Sequence, residues 1–204
     1  LRALTETLQD GALDDPPVAQ RFLSRIETEV DALTQMAQEL LDLSRIESGQ
    51  IELNLQNTTP QKILQRATER MRMQAERADI HLVLDCPNEL PNIQADVARI
   101  EQVLVNLIHN GIKFTSMGGT VTLSAESGSR SIRFAVSDSG IGIPANDLPR
   151  IFERFYKADP SRRSRGTGLG LSISKHLIEA HGGKLWAESV EGQGSTFYFE
   201  LPIN

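Results

Sequence analysis

The chain has 204 residues, 39% hydrophobic, 24% charged and 5% aromatic, with 15 glycines and 9 prolines. This is the composition of a soluble globular protein with room for one or two buried cores, and it excludes collagen, a disordered tail and a small disulfide scaffold. Against 27 Asp and Glu stand 21 Lys and Arg, a net charge of −6, so no broad basic face for a phosphate backbone is expected and nucleic acid is not a partner.

Cys86 is the single cysteine, which rules out an intrachain disulfide and a multi-cysteine zinc site and suits a reducing, cytoplasmic location. No run approaches the roughly 18 uninterrupted apolar residues of a membrane span, so no direct membrane contact is expected of this segment. The opening LRALTETLQD is neither a signal peptide nor a start. The chain reads as a piece of a longer parent, whose anchoring in an inner membrane stays open.

Leu1, Leu4 and Leu8 recur at helical spacing, and Asp10-Gly11 supplies a stop. Asp14-Asp15-Pro16-Pro17 then reads as a cap with proline in the first turn. Behind it Leu23, Ile26, Val30, Leu33, Ala37, Leu40 and Ser44 alternate at spacings of three and four, a seam that runs about 45 Å at 1.5 Å per residue. Phe22, Met36, Leu41 and Leu43 widen the apolar stripe beyond what two helices cover. Residues 1–48 are therefore expected to form a helical hairpin that pairs with a second copy into a four-helix bundle, a homodimer. The alternative is a hairpin packed on the rest of its own chain.

Ser48-Gly49-Gln50 breaks the pattern and a second domain, 49–204, begins. Ile51, Leu53 and Leu55 alternate as a strand; Thr59-Pro60 caps a helix bearing Ile63, Ala67 and Met71; residues 80–84 read as a strand; Asp96 caps a helix to about Phe114. Val121, Leu123, Ala125 and Ile132, Phe134, Val136 flank Ser127-Gly128-Ser129 as a hairpin. Residues 139–168 are irregular, with one short helical stretch over 147–152; a helix over 169–180 and strands over 184–189 and 195–201 complete an α+β pattern. An irregular insert of that length is uncommon unless functional, often a lid.

Four motifs carry chemistry. On the helix after Asp96 the apolar residues gather on one side, and Arg99, Gln102, Asn106, Asn110 and Lys113 on the other. Asparagine is a poor helix former, an Asn amide oxygen suits Mg²⁺, and Lys suits a nucleotide phosphate; a solvated face is the alternative. Asp138-Ser139-Gly140-Ile141-Gly142 follows a strand: glycines admit a flat ligand and the carboxylate can accept from an exocyclic amine, or the segment is a plain turn. Gly166-Thr167-Gly168-Leu169-Gly170-Leu171 runs into a helix, an anion-cradle candidate. It lacks the ending of a P-loop, the third glycine of a dinucleotide fingerprint and downstream protein-kinase motifs. Lys157, Arg162, Arg163 and Arg165 form a basic cluster before it, and Gly192-Gln193-Gly194-Ser195-Thr196-Phe197 alone reads as a hairpin turn.

In this order and spacing the motifs resemble the catalytic core of bacterial sensor histidine kinases. Residues 106–113 look like the N box, 138–144 the first glycine box, 151–157 (IFERFYK) the phenylalanine-rich box, 166–171 the second glycine box and 192–197 the third. The resemblance implies a gyrase- and chaperone-like α/β sandwich that binds ATP, joined to a dimerisation and phosphotransfer hairpin. It implies that Asn110 holds Mg²⁺, Asn106 lies beside metal and phosphates, and Lys113 touches phosphate. Asp138 would recognise the adenine amine, with Gly140 and Gly142 making room for the base. Tyr156, Lys157, Gly166, Thr167, Gly168, Leu169 and Gly170 would line ribose and phosphates, and Thr196 the adenine end. Gly111 stands where the family more often has Ala, an exchange expected to be tolerated.

The family's phosphoacceptor histidine is missing: His81, His109, His176 and His181 all lie outside the hairpin. Residues 1–4 resemble the register just after the acceptor, so no catalytic residue is identifiable here. The expected function is the core of a two-component sensor kinase. The intact parent would phosphorylate a histidine and pass the group to a response-regulator aspartate, while this chain would bind Mg-ATP without phosphorylating itself. Two alternatives remain: a gyrase-like ATPase clamp, which needs a water-activating Glu where Asn106 stands, and a degenerate kinase acting as a dimeric scaffold.

Overall fold

The computed structural model describes residues 15–47, 52–87, 89–157 and 167–203. The helix expected behind the two aspartates is α1 (Pro16–Glu47), 32 residues long. Asp15 starts it: Oδ1 accepts from the Val18 N–H at 3.3 Å, and its carbonyl accepts from the Ala19 N–H at 2.8 Å. Seam residues Leu23, Val30, Leu33 and Leu40 are 46–52% exposed, an apolar stripe with no cover among the described residues. Glu39 instead is buried, and Leu43, one turn on, packs against the core. The helix expected over Leu1, Leu4 and Leu8 and the break at 48–50 lie outside the described residues.

The next strand is not where the alternating leucines place it. Residues 52–55 are irregular with Leu55 exposed, and β1 is Gln56–Thr58. Pairing decides its position. β1 runs antiparallel to β3 (Ile93–Ala95), with Thr58 opposite Ile93 and Gln56 opposite Ala95. Ile93 and Ala95 are fully buried, and Asn54 N–H is held by Asp96 Oδ2 at 3.0 Å.

Between them α2 (Pro60–Arg77) starts at Thr59, whose hydroxyl accepts from the Lys62 N–H at 3.3 Å, with Pro60 in the first turn where no N–H is needed. β2 (His81–Asp85) follows. Asp96 caps α3 (Val97–Phe114) as expected, Oδ1 accepting from the Arg99 N–H at 3.2 Å. The apolar side of α3, Ile100, Val103, Leu104, Leu107, Ile108 and Ile112, is buried. β4 (Thr120–Ser127) and β5 (Ser131–Asp138) form the expected hairpin. α4 (Gly170–Ala180), β6 (Lys184–Val190) and β7 (Gly194–Pro202) complete the order.

The five-stranded sheet runs β2-β4-β5-β7-β6. β2 pairs parallel with β4 and the other neighbours are antiparallel. Period-two alternation sends Val121, Leu123, Ile132, Phe134, Val136, Phe197, Phe199 and Leu201 into one core beneath α2, α3 and α4. Each such side chain removed from water stabilises by about 1.5–3 kcal/mol. Phe134 and Phe199 stack at 4.6 Å between ring centres. The result is the expected α/β sandwich behind a helical segment.

Residues 147–152 form successive turns, not the expected helical stretch. Asp147 and Leu148 N–H both reach the Pro144 carbonyl, and Arg150 N–H reaches that of Asp147. Pro149 supplies no donor and disfavours helical geometry at Leu148. Among the described residues no helix is long and apolar enough to cross a membrane.

Candidate nucleotide-binding site

α3 is the spine of the site, because both helix-side glycine motifs close onto it. At its carboxyl end a Cβ built on Gly140 would lie 2.5 Å from the Phe114 carbonyl oxygen, which accepts from the Ile141 N–H at 3.2 Å. One turn back, a Cβ on Gly111 would stand 3.1 and 3.3 Å from the two methyls of Val121 and 3.5 Å from Asp138 Cβ. Alanine there requires Val121 to give by a few tenths of an ångström. At the middle of the helix a Cβ on Gly170 would lie 2.3 Å from Asn106 Oδ1. The Asn106 amide donates to Ser174 Oγ at 2.9 Å, so α4 and α3 are locked side by side through this asparagine.

Asp138 ends β5 beside this helix. Its Oδ1 accepts from the Gly140 N–H at 2.9 Å. Burial pushes its carboxyl above the usual carboxylate range, against the smaller downward pull of the Gly140 and Ser195 backbone N–H groups. The first and third glycine motifs interlock around it: a Cβ on Gly142, at φ +68°, would lie 2.2 Å from the Val190 carbonyl oxygen, and one on Gly194, at φ +97°, 2.0 Å from that of Asp138. Gly140 and Gly142, expected to make room for a base, thus also make room for the chain's own backbone. A cleft opens here, lined by Asp138, Glu188, Ser189, Val190, Gln193, Gly194, Ser195 and Thr196. Asn110 and Gly168 are not among its walls; Asn110 precedes Gly111, which faces Asp138 Cβ from α3, and Gly168 packs on Phe155 and Tyr156.

The cleft is lined by both Ser195 and Thr196, from opposite faces of β7. Thr196 pairs with Ser137, and their hydroxyls meet at 3.0 Å on the sheet face away from the helices. Ser195 pairs with Asp138 and is buried on the helix side. It is Ser195, not Thr196, that shares a face with Asp138. The signal was in the sequence: Phe197, Phe199 and Leu201 mark the buried face, and a period of two carries it back to 195.

Lys113 and Asn110 complete the polar side of α3. Asn110 stands one turn after Asn106, and its side-chain amide makes no hydrogen bond among the described residues. Burial, followed by the positive charge of Lys157, holds the Lys113 ammonium below its usual range, so these two lysines face one region. His109 is likewise lowered, by burial first and then Lys113, with Glu39 of α1 opposing. Thr167 Oγ1 accepts from the Leu169 N–H at 3.1 Å and donates to the Glu39 carboxylate. No sequence signal marked Glu39, an acidic residue on a helix otherwise read for its seam.

Gly168, at φ +75°, packs so closely on Phe155 and Tyr156 that a Cβ would lie 2.8–2.9 Å from their backbone atoms. Phe155, itself at φ +61°, donates its N–H to the Gly168 carbonyl at 2.9 Å. This bond and the close packing tie Phe155, within the irregular insert, to Gly168 at its end. Tyr156 is engaged within the insert: its hydroxyl donates to Asp147 Oδ1 at 2.7 Å, and the Arg150 guanidinium sits 4.4 Å from its ring centre. Gly166, Arg162, Arg163 and Arg165 lie outside the described residues. Among the described residues no group of three or more His, Cys, Asp or Glu side chains could hold a metal.

The helix ends are fixed by His181. Its Nε2 accepts from the Asp96 N–H at 3.0 Å while Nδ1 donates to the Leu177 carbonyl at 2.7 Å. The end of α4 is thereby tied to the start of α3.

The chain belongs to the histidine kinase-, DNA gyrase B-, and HSP90-like ATPase family, whose model matches residues 95–204. Residues 1–49 match the His Kinase A (phospho-acceptor) domain, giving the domain pair of a sensor histidine kinase core. Sensor histidine kinase WalK of Bacillus subtilis is 34% identical over 206 residues, covering 99% of this chain and 34% of WalK. The adaptive-response sensory kinase SasA of Synechococcus elongatus is 33% identical, covering 89% of this chain and 47% of SasA. The chain thus spans between a third and a half of these relatives. Among solved structures, full-length ShkA in complex with AMPPNP superposes with a TM-score of 0.80 at 32% identity, covering 90% of this chain and 38% of ShkA. ThkA in complex with the response regulator TrrA gives 0.76 at 26% identity, covering 99% and 57%.

Proposed function

We propose that this segment is the Mg-ATP-binding and dimerisation core of a two-component sensor histidine kinase. The observation that carries the reading is the convergence on one helix of Gly170 at Asn106, Asp138 at Gly111 and Gly140 at Phe114. Asp138, ionised, accepts from the exocyclic amine of adenine, with Ser195 on the same face. Lys113 and Lys157 take the phosphates together with the Gly170 N–H group at the start of α4. Asn106 holds α4 in register. Asn110, a neutral oxygen donor without a carboxylate cluster around it, fits Mg²⁺, which keeps waters and phosphate oxygens as its other ligands. When bound, the ion neutralises phosphate charge.

The exposed seam of α1 supports a homodimer through the hairpin, and the ThkA–TrrA complex supports a response-regulator receiver as the next partner. None of the four histidines falls within residues 1–49, which match the phospho-acceptor domain, so this segment alone is expected not to label itself. In the parent, catalysis would be positioning plus charge stabilisation of an in-line transfer. Asn106, where an ATPase clamp needs a general base, weighs against the gyrase-like alternative.

Calorimetric titration with Mg²⁺ and AMPPNP tests the reading. The unmodified chain binds, and Asp138→Asn and Asn110→Ala each weaken binding at least about tenfold. Absence of binding in all three overturns it in favour of the scaffold.

A further inference from the structure

On α1 most described side chains face water, yet Glu39 is 9% exposed. Its carboxylate accepts from Thr167, whose hydroxyl in turn takes the Leu169 N–H at the mouth of α4. Its charge also acts on His109 of α3, the residue immediately before Asn110. Leu43, one turn along the same face, packs on the core. The hairpin helix therefore rests on the ATP-binding domain by a short apolar contact and one buried negative charge, and that charge sits where Thr167 and the start of α4 would meet a polyphosphate.

We propose that Glu39 is a nucleotide-displaced latch: its carboxylate holds α1 against the phosphate end of the site, and the phosphates of an incoming nucleoside triphosphate expel it. The proposal rests on the Mg-ATP reading above. Two anions cannot crowd the one Thr167 hydroxyl without mutual repulsion, which is strong where water is excluded. Displacing Glu39 removes a polar part of the contact between the domains and leaves the apolar contact at Leu43. Binding of substrate thus loosens the hairpin at the moment when the domain must move toward a phosphoacceptor. By reciprocity, the docked helix lowers nucleotide affinity by the same factor.

The test is calorimetric titration of the full chain, Glu39→Gln and Glu39→Lys with Mg²⁺ plus AMPPNP, and with adenosine, which has no phosphates. Both substitutions are good helix formers, so α1 persists. Binding of AMPPNP is expected to tighten about fivefold in Glu39→Gln and further in Glu39→Lys, with adenosine binding unchanged. Equal AMPPNP constants in all three chains overturn the latch and leave the site reading standing. Equal tightening for adenosine also overturns it, because the effect would then not act on phosphate. No AMPPNP binding in any of the three removes the site reading and the latch together.

Discussion

Replacing Gly170 by alanine separates folding from ligand binding. The added methyl would lie 2.3 Å from Asn106 Oδ1, about 1 Å inside an ordinary carbon–oxygen contact. Asn106 is the flexible end of the clash, so it yields: its amide swings away and the 2.9 Å bond to Ser174 is lost. That loss costs about 1 kcal/mol. Gly170 does not need a left-handed conformation, and alanine in a helix returns up to about 1 kcal/mol. Unfolding free energy should therefore change by less than about 1 kcal/mol in urea melts followed by circular dichroism. Affinity should not survive so well, because a shift of about 1 Å at a positioning group can cost about two orders of magnitude. We expect Mg-AMPPNP binding to weaken at least about tenfold by calorimetry. Ser174→Ala, which removes the same bond without adding atoms, should match its stability and weaken binding less. A Gly170→Ala chain that binds like the parent would refute the placement of Asn106 at the phosphates.

Asp138 gives a pH dependence whose sign differs for binding and folding. Because burial raises its carboxyl, nucleotide affinity should fall as pH drops, beginning above the ordinary carboxylate range, and Asp138→Asn should remove that step. The folded state holds this proton more tightly than the unfolded chain, so its contribution to stability is present in acid and is lost as pH rises through the raised value. His181→Ala leaves the Asp96 N–H without its acceptor and should cost about 1–3 kcal/mol in the urea midpoint. A loss below about 0.5 kcal/mol would show that the tie between the helix ends is dispensable. Thr196→Val should leave AMPPNP binding within about twofold, whereas Ser195→Leu, on the Asp138 face, should weaken it about tenfold. The reverse ranking would put Thr196 and not Ser195 at the adenine end.

Periodic elements were legible because one physical cause set them. Asp96 and Thr59 announce their helices by capping chemistry, and the Val121, Phe134 and Phe199 faces are a direct reading of sheet alternation. Elements decided by partners were not. β1 is placed by Ile93 and Ala95 across the gap, and no local feature of residues 52–58 encodes that. The turns at 147–152 turn on Pro149, a breaker outweighed in the sequence by the flanking Leu148 and Ile151. In the site, motif spacing found Asn106, Asp138 and Gly170 but not what they touch. Gly140 and Gly142 look like ligand glycines, yet each faces backbone of this chain. Ser195 was recoverable from strand phase, while Glu39 and His181 act across 128 and 85 residues of sequence separation, beyond any window of local pattern.

The strand order has a consequence for how this molecule is made. β7 (Gly194–Pro202) lies inside the sheet, between β5 and β6, although the chain reaches it after both. A nascent chain that has emerged only as far as β6 exposes two unsatisfied strand edges and a half-built layer of phenylalanines. Closure waits until residue 202 has left the ribosome, and a stop codon anywhere in the last strand should yield an aggregate instead of a shortened enzyme.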